Sequence, residues 1–290
     1  MVIEASTIIC VNMFLIISGY FGIRLRLTSV IKLCLLLAFI YIPFYIVDSF
    51  FAGTFSIKSL MGRILLISNA GFFIQSYLML LFFSPVLNAF VEKYGKQILP
   101  WTLILLIIEW WFECVRSIDN FGFNSGYSVI HFVLMYMVAR CVALYKDILT
   151  SVAPGYWIIG YGACTLMICV MYILGIKCTF TYSNPIVVLS SVCSFIPFMY
   201  RVYYNYIINW IAEGTLAVYI IQVTNPVYGL LTSIDNYFLM NYSYPTYLLI
   251  AAGVIIVTFT CSVLYHKVCE CAINLVMQRI SPMIEKYKMI

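Results

Sequence analysis

Residues 246–265 read TYLLIAAGVIIVTFTCSVLY, twenty positions without one charged side chain, and His266 and Lys267 follow at once. A helix rises about 1.5 Å per residue, so such a run covers the ~30 Å hydrocarbon core of a bilayer. It lacks the alternation of a barrel strand, and a backbone facing lipid must satisfy its own hydrogen bonds. The stretch therefore predicts a transmembrane helix closed by cations.

The same pattern recurs along the chain, at 6–21, 29–47, 72–91, 100–118, 127–144, 155–176, 185–200 and 214–231. Across all 290 residues 64% are hydrophobic and only 9% charged, with a mean hydropathy of +1.02. A soluble domain carries charge at about a quarter of its positions. The expected fold is all-α, a polytopic integral membrane helix bundle of about nine transmembrane helices. It forms a single domain over 1–290, with lipid as its main solvent. Pro100, Pro185 and Pro245 fall at or just before first turns, where a missing N–H costs nothing, and Asn184 precedes Pro185 as an N-cap.

Orientation follows from the cations, because Lys and Arg near helix ends resist translocation. Alternate threading puts Arg24, Arg26, Lys32, Lys93, Lys96, Arg140, Lys146, Arg201, Lys267, Arg279, Lys286 and Lys288 on one side. Lys58, Arg63, Arg116 and Lys177 remain on the other, a split of twelve against four. The first side is expected to be cytosolic in a cell membrane, with the C-terminus inside and Met1 outside. No basic segment or cleavage site precedes the first span; the five-residue tail bearing Glu4 can cross unaided, although a further helix ahead of Met1 would make the more ordinary arrangement.

Connections are short, which leaves no room for a soluble domain or a large lid. Residues 59–69 read as a short amphipathic or re-entrant helix around Arg63. The tail 266–290 reads as a cytosolic interfacial helix that Pro282 breaks near its end. Five Trp residues fall in or near helix ends, as interfacial anchors should. Most of the eleven cysteines lie inside spans, where they act as small apolar residues. There is no Cys-x-x-Cys and no Cys/His cluster, so no metal or redox site is expected. Nothing in the charge pattern suggests nucleic acid.

Polar groups inside spans are the best pointers to function, since an ionisable one costs ~2.5–3.5 kcal/mol on insertion. Glu109, Glu113 and Arg116 recur at helical spacing and predict one stripe. His131 lies one turn into the next, antiparallel span, at the expected depth of Glu113. A carboxylate beside a His can make a general base for a hydroxyl; it can equally lock two helices together. Asn12, Ser18, Tyr77, Gln222 and Asn225 interrupt other spans and together suggest a polar cavity, although each alone is more often helix–helix glue. Arg24 and Arg26 either hold an anionic ligand's phosphates or serve only topology.

Four segments resemble the membrane-bound acyltransferase-3 family. The first is Asn12-Met-Phe-Leu-Ile-Ile-Ser-Gly-Tyr-Phe-Gly22 with Arg24 and Arg26 behind it. The second runs from Phe73-Ile-Gln-Ser-Tyr77 to Ser84-Pro-Val-Leu-Asn88. The third is Gly126-Tyr-Ser-Val-Ile-His-Phe132 through Tyr136 and Arg140, and the fourth Ile211-Ala-Glu-Gly-Thr215 through Tyr219-Ile-Ile-Gln222. They occur in family order over nearly the whole chain.

The resemblance implies transfer of an acyl group, usually acetyl from acetyl-CoA in the cytosol, to a hydroxyl of a surface polysaccharide. No bound cofactor is implied. Arg24, Arg26 and Arg140 would bind the acyl donor, and Glu109, Glu113 and His131 would serve the acceptor hydroxyl. The family's first helix, with its Arg and acyl-transfer His, has no counterpart here, and Gln222 stands where many members have His. That implies either a start upstream of Met1 or a shortened, less active relative. The residues alone also leave open a transporter or flippase for a lipid-linked glycan, with Glu109 as its coupling residue, or a non-catalytic membrane partner.

Overall fold

The computed structural model describes the backbone of residues 1–64, 71–115, 122–201 and 203–287, and the side chains of these except 63–64 and 281–287. Helices account for 84% of the described residues, and no strand occurs among them. They are α1 (Val2–Thr7), α2 (Cys10–Phe21), α3 (Leu27–Ala52), α4 (Ile57–Ile64), α5 (Phe72–Tyr94), α6 (Ile98–Trp110), α7 (Val129–Leu144), α8 (Lys146–Ser151), α9 (Pro154–Ile173), α10 (Pro185–Phe195), α11 (Tyr206–Ala212), α12 (Thr215–Val223), α13 (Val227–Asn241) and α14 (Tyr244–Tyr287).

Six stretches of the described residues are long and apolar enough to cross a membrane: Val2–Phe21, Leu27–Ala52, Phe72–Val115, Pro154–Ile173, Tyr206–Val223 and Tyr244–Ile280. Phe72–Val115 contains two of the expected spans, because Gly95, at φ +54°, ends α5 before α6 begins. Val129–Leu144 and Pro185–Met199 are apolar but shorter. The side chains agree with a lipid solvent. On α14, Ile255, Ile256 and Val257 follow one another at 64%, 65% and 62% exposure, which water would penalise on every side of the helix. The protein is thus an all-α, multi-pass membrane protein.

Several boundaries follow the expected chemistry. Pro154 and Pro185 open α9 and α10 at the first turn, and the Asn184 side chain accepts from Ile186 N at 2.9 Å. Two expectations fail. The run 214–231 is not one helix: α12 ends at Val223 and α13 starts at Val227, separated by Thr224, Asn225 and Pro226. A proline lacks the N–H that a continuing helix needs, so the chain breaks before it. Conversely, Pro282 does not break the tail, since α14 runs on to Tyr287 as one 44-residue helix. At ~1.5 Å per residue it is about twice as long as a bilayer core is thick. Of the expected helix at 59–69, α4 covers the part up to Ile64; the rest, and the Arg63 side chain, lie outside the described residues.

The chain divides into two compact units, Met1–Leu25 with Phe72–Tyr203, and Arg26–Gly71 with Tyr204–Ile290. In the first, α7 is the enclosed element, packed by α2, α5 and α6, with Phe132, Met135, Tyr136 and Ala139 fully buried. Gly19 lets α2 approach it. A Cβ there would stand 2.5 Å from Ala139 Cβ and 3.0 Å from the Tyr136 carbonyl oxygen. Small residues at a crossing allow such contact between membrane helices.

In the second unit α3, α12 and α14 pack together. The Tyr265 hydroxyl donates to the Phe39 carbonyl at 2.8 Å, and Lys267 pairs with Glu213 and Glu270 while lying 5.2 Å over the Trp210 ring.

Candidate functional site

The first unit carries three polar clusters, placed from one end of its helices to the other. The central one is fully buried. His131 Nδ1 lies 3.1 Å from Glu109 Oε2, and His131 Nε2 lies 2.9 Å from Asn12 Oδ1. All three side chains are completely buried. Asn12 Nδ2 donates to the Tyr182 carbonyl at 3.0 Å, which fixes the amide with its oxygen toward the ring. Nε2 must therefore carry a hydrogen. Between Nδ1 and Oε2 there is room for one more proton, held either as imidazolium and carboxylate or as imidazole and carboxylic acid. Both ring nitrogens are consumed. Glu109 Oε1 has no hydrogen-bond partner.

The sequence put Glu113 beside His131; the structure puts Glu109 there. The cause is a π-turn, Trp111–Val115, at the end of α6, which widens the helix and re-aims Glu113 away from the Glu109 stripe. Arg116, the third residue of that stripe, lies outside the described residues.

Glu113 joins a second cluster at the end of the unit. Its carboxylate accepts from the Ser183 hydroxyl and, at 3.3 Å, from the Gly126 N–H. Gly126 has φ +84° and sits so close to the 182–183 backbone that a Cβ would be 2.9 Å from Ser183 N, so the loop requires glycine there. Ser183 was not among the expected site residues. Its only sequence signal is its position just before the Asn184-Pro185 helix start, which says nothing about a partner 70 positions away.

The third cluster lies at the opposite end, where the basic residues gather. The Tyr136 hydroxyl donates to Asn88 Oδ1 at 2.6 Å and accepts from Ile23 N at 3.2 Å, and Asn88 Nδ2 donates to the Ile23 carbonyl at 2.8 Å. Arg140 Nη1 reaches the Gly19 and Tyr20 carbonyls at 3.4 and 3.5 Å, while its buried Nε–H is unpaired. Gly22, at φ +76°, leaves room for that guanidinium. Residues of the first three resembling segments thus meet in one hydrogen-bonded knot. Arg24, just beyond it, is exposed, and so is Arg26, which belongs to the other unit.

The suggested cavity residues divide between the two units. Asn12 serves His131, and the Ser18 and Tyr77 side chains are neighbours. Gln222 belongs to the second unit, where it borders a cavity of about 660 Å³ between α12, α13 and α14. Asn225 is exposed at the α12–α13 break.

Among the described residues no group of three or more His, Cys, Asp or Glu side chains could hold a metal ion. No protein-family model, curated protein or solved structure matches the chain.

Proposed function

We propose that this protein is an integral membrane O-acyltransferase that passes an acyl group, acetyl from acetyl-CoA, to a hydroxyl of a cell-surface polysaccharide or lipid-linked glycan. The reading includes about nine membrane passes in the cell membrane, with the basic helix ends and the C-terminus in the cytosol. The observation that carries it is the knot around Gly19–Ile23. Three of the four resembling segments interlock there, and Arg140 presents a buried, unpaired N–H at the basic end. An unsatisfied buried donor costs about 1–3 kcal/mol unless something accepts from it. A donor phosphate or the acyl carbonyl would do so, with Arg24 adding positive potential at the surface.

His131, Glu109 and Asn12 act in this scheme as a lock that holds α2, α6 and α7 in register, because neither ring nitrogen is free to take a substrate proton. The base for the acceptor hydroxyl is then Glu113, half-buried at the opposite end.

The test is release of free CoA by purified protein given acetyl-CoA and an acceptor glycan. Activity should fall on Arg140→Ala and on Glu113→Gln. Labelled glycan crossing liposomes without any acyl donor would instead favour the flippase, and neither activity would favour the partner.

A further inference from the structure

The end of the first unit that holds Glu113 also holds two thiols. Cys114 sits on the π-turn that closes α6, and Cys178 in the loop between α9 and α10; both are half-buried. The two segments are fastened together, since Ser183 donates to Glu113. The Cys178 backbone is fastened as well. Its carbonyl accepts from the Thr181 hydroxyl at 2.9 Å and from Asn184 Nδ2 at 3.3 Å. Cys178 has φ +59°, the left-handed region that a non-glycine residue enters only when its surroundings hold it there. The Cys114 thiol lies within hydrogen-bonding reach of both the Cys178 thiol and the Thr181 hydroxyl.

The other cysteines differ. Cys164 and Cys193 are also neighbours, yet both are buried within α9 and α10, where no aqueous oxidant arrives. Cys114 and Cys178 stand at a helix end, on the side opposite the cationic loops. In a cell membrane that side faces the compartment where disulfides persist.

We infer that Cys114 and Cys178 form a disulfide that ties the end of α6 to the α9–α10 loop and clamps the Glu113–Ser183 contact. The chemistry is thiol–disulfide exchange with an external disulfide oxidant, a protein or small molecule of that class. One thiolate attacks the oxidant's disulfide, one sulfur of which leaves as a thiol. The second thiolate then attacks the mixed disulfide and expels the other. Two electrons and two protons pass to the oxidant, and one S–S bond remains in the protein.

The test is non-reducing peptide mapping of full-length protein from membranes of a host with an oxidising export compartment, with thiols alkylated at lysis. Trypsin should yield residues 97–116 linked to 178–201, lighter by two hydrogens than the two peptides. The second peptide also contains Cys193, so the mapping is done in a Cys193→Ser background. The linked species should vanish in Cys114→Ser and in Cys178→Ser, with the partner cysteine then alkylated. Alkylation of both cysteines in the unmodified pair would overturn the inference, as would a link from either one to a different cysteine. A link that appears only after adding diamide, a permeant oxidant, would overturn it too and would reverse the sidedness. Loss of CoA release with the link intact would count against the transferase alone.

Discussion

Replacing His131 with Leu removes the middle member of the Asn12–His131–Glu109 chain. Asn12 Oδ1 then loses its partner, and Glu109 is left with a buried proton or charge that nothing receives. Each unsatisfied buried group costs about 1–3 kcal/mol, so the substitution should destabilise by roughly 2–6 kcal/mol. Glu109→Leu leaves only His131 Nδ1 unpaired and should cost about 1–3 kcal/mol. The double variant has no shared proton to place. Only Asn12 Oδ1 remains unsatisfied, and apolar replacement of a buried pair is often neutral. Its loss should be about 1–3 kcal/mol, well below the sum of the singles, with a coupling of roughly 2 kcal/mol or more. Unfolding by SDS titration, or thermal scanning in detergent at about 2 °C per kcal/mol, would measure the cycle. Additive losses, with coupling under about 0.5 kcal/mol, would refute the shared proton. Activity gives a second reading: if the cluster is a lock, the double variant should keep CoA release at low temperature, whereas abolished turnover in a folded double variant would return His131 to the chemistry.

The knot at the basic end makes its own predictions. Tyr136→Phe removes a hydroxyl that both donates and accepts, and should cost about 1–3 kcal/mol in the same unfolding assay. Gly19→Val places methyl groups against Ala139 and should destabilise by about 1–3 kcal/mol, with α2 and α7 forced apart; an unchanged midpoint would contradict the close crossing. Arg140→Ala should lower acyl transfer by at least about tenfold, and Arg140→Lys should recover only part of it, since a lysine cannot span two carbonyls and still offer an Nε–H. Cysteines introduced at positions 24 and 26 should be labelled by an impermeant maleimide only from the cytosolic face, and labelling from outside would reverse the threading.

Apolar runs, prolines and cations are local features, and they determined the all-α class, the membrane solvent, most helix starts and the expected sidedness. The Asn184 cap and the Pro185 start could be read because their partners are neighbours in the chain. The sequence also singled out Asn12, Glu109, His131 and Arg140, because polar groups are costly in lipid wherever they end up. It could not say which of them meet. A π-turn of one widened helical turn, Trp111–Val115, decided that Glu109 and not Glu113 reaches His131. No residue pattern announces such a turn, because it is a compromise between the α6 backbone and the groups packed around it. Ser183 on Glu113, Tyr136 on Asn88 and Tyr182 beneath Asn12 each join residues 48 to 170 positions apart. Such pairings exist only once the helices are in place, and they settle which polar groups are spent on holding helices together.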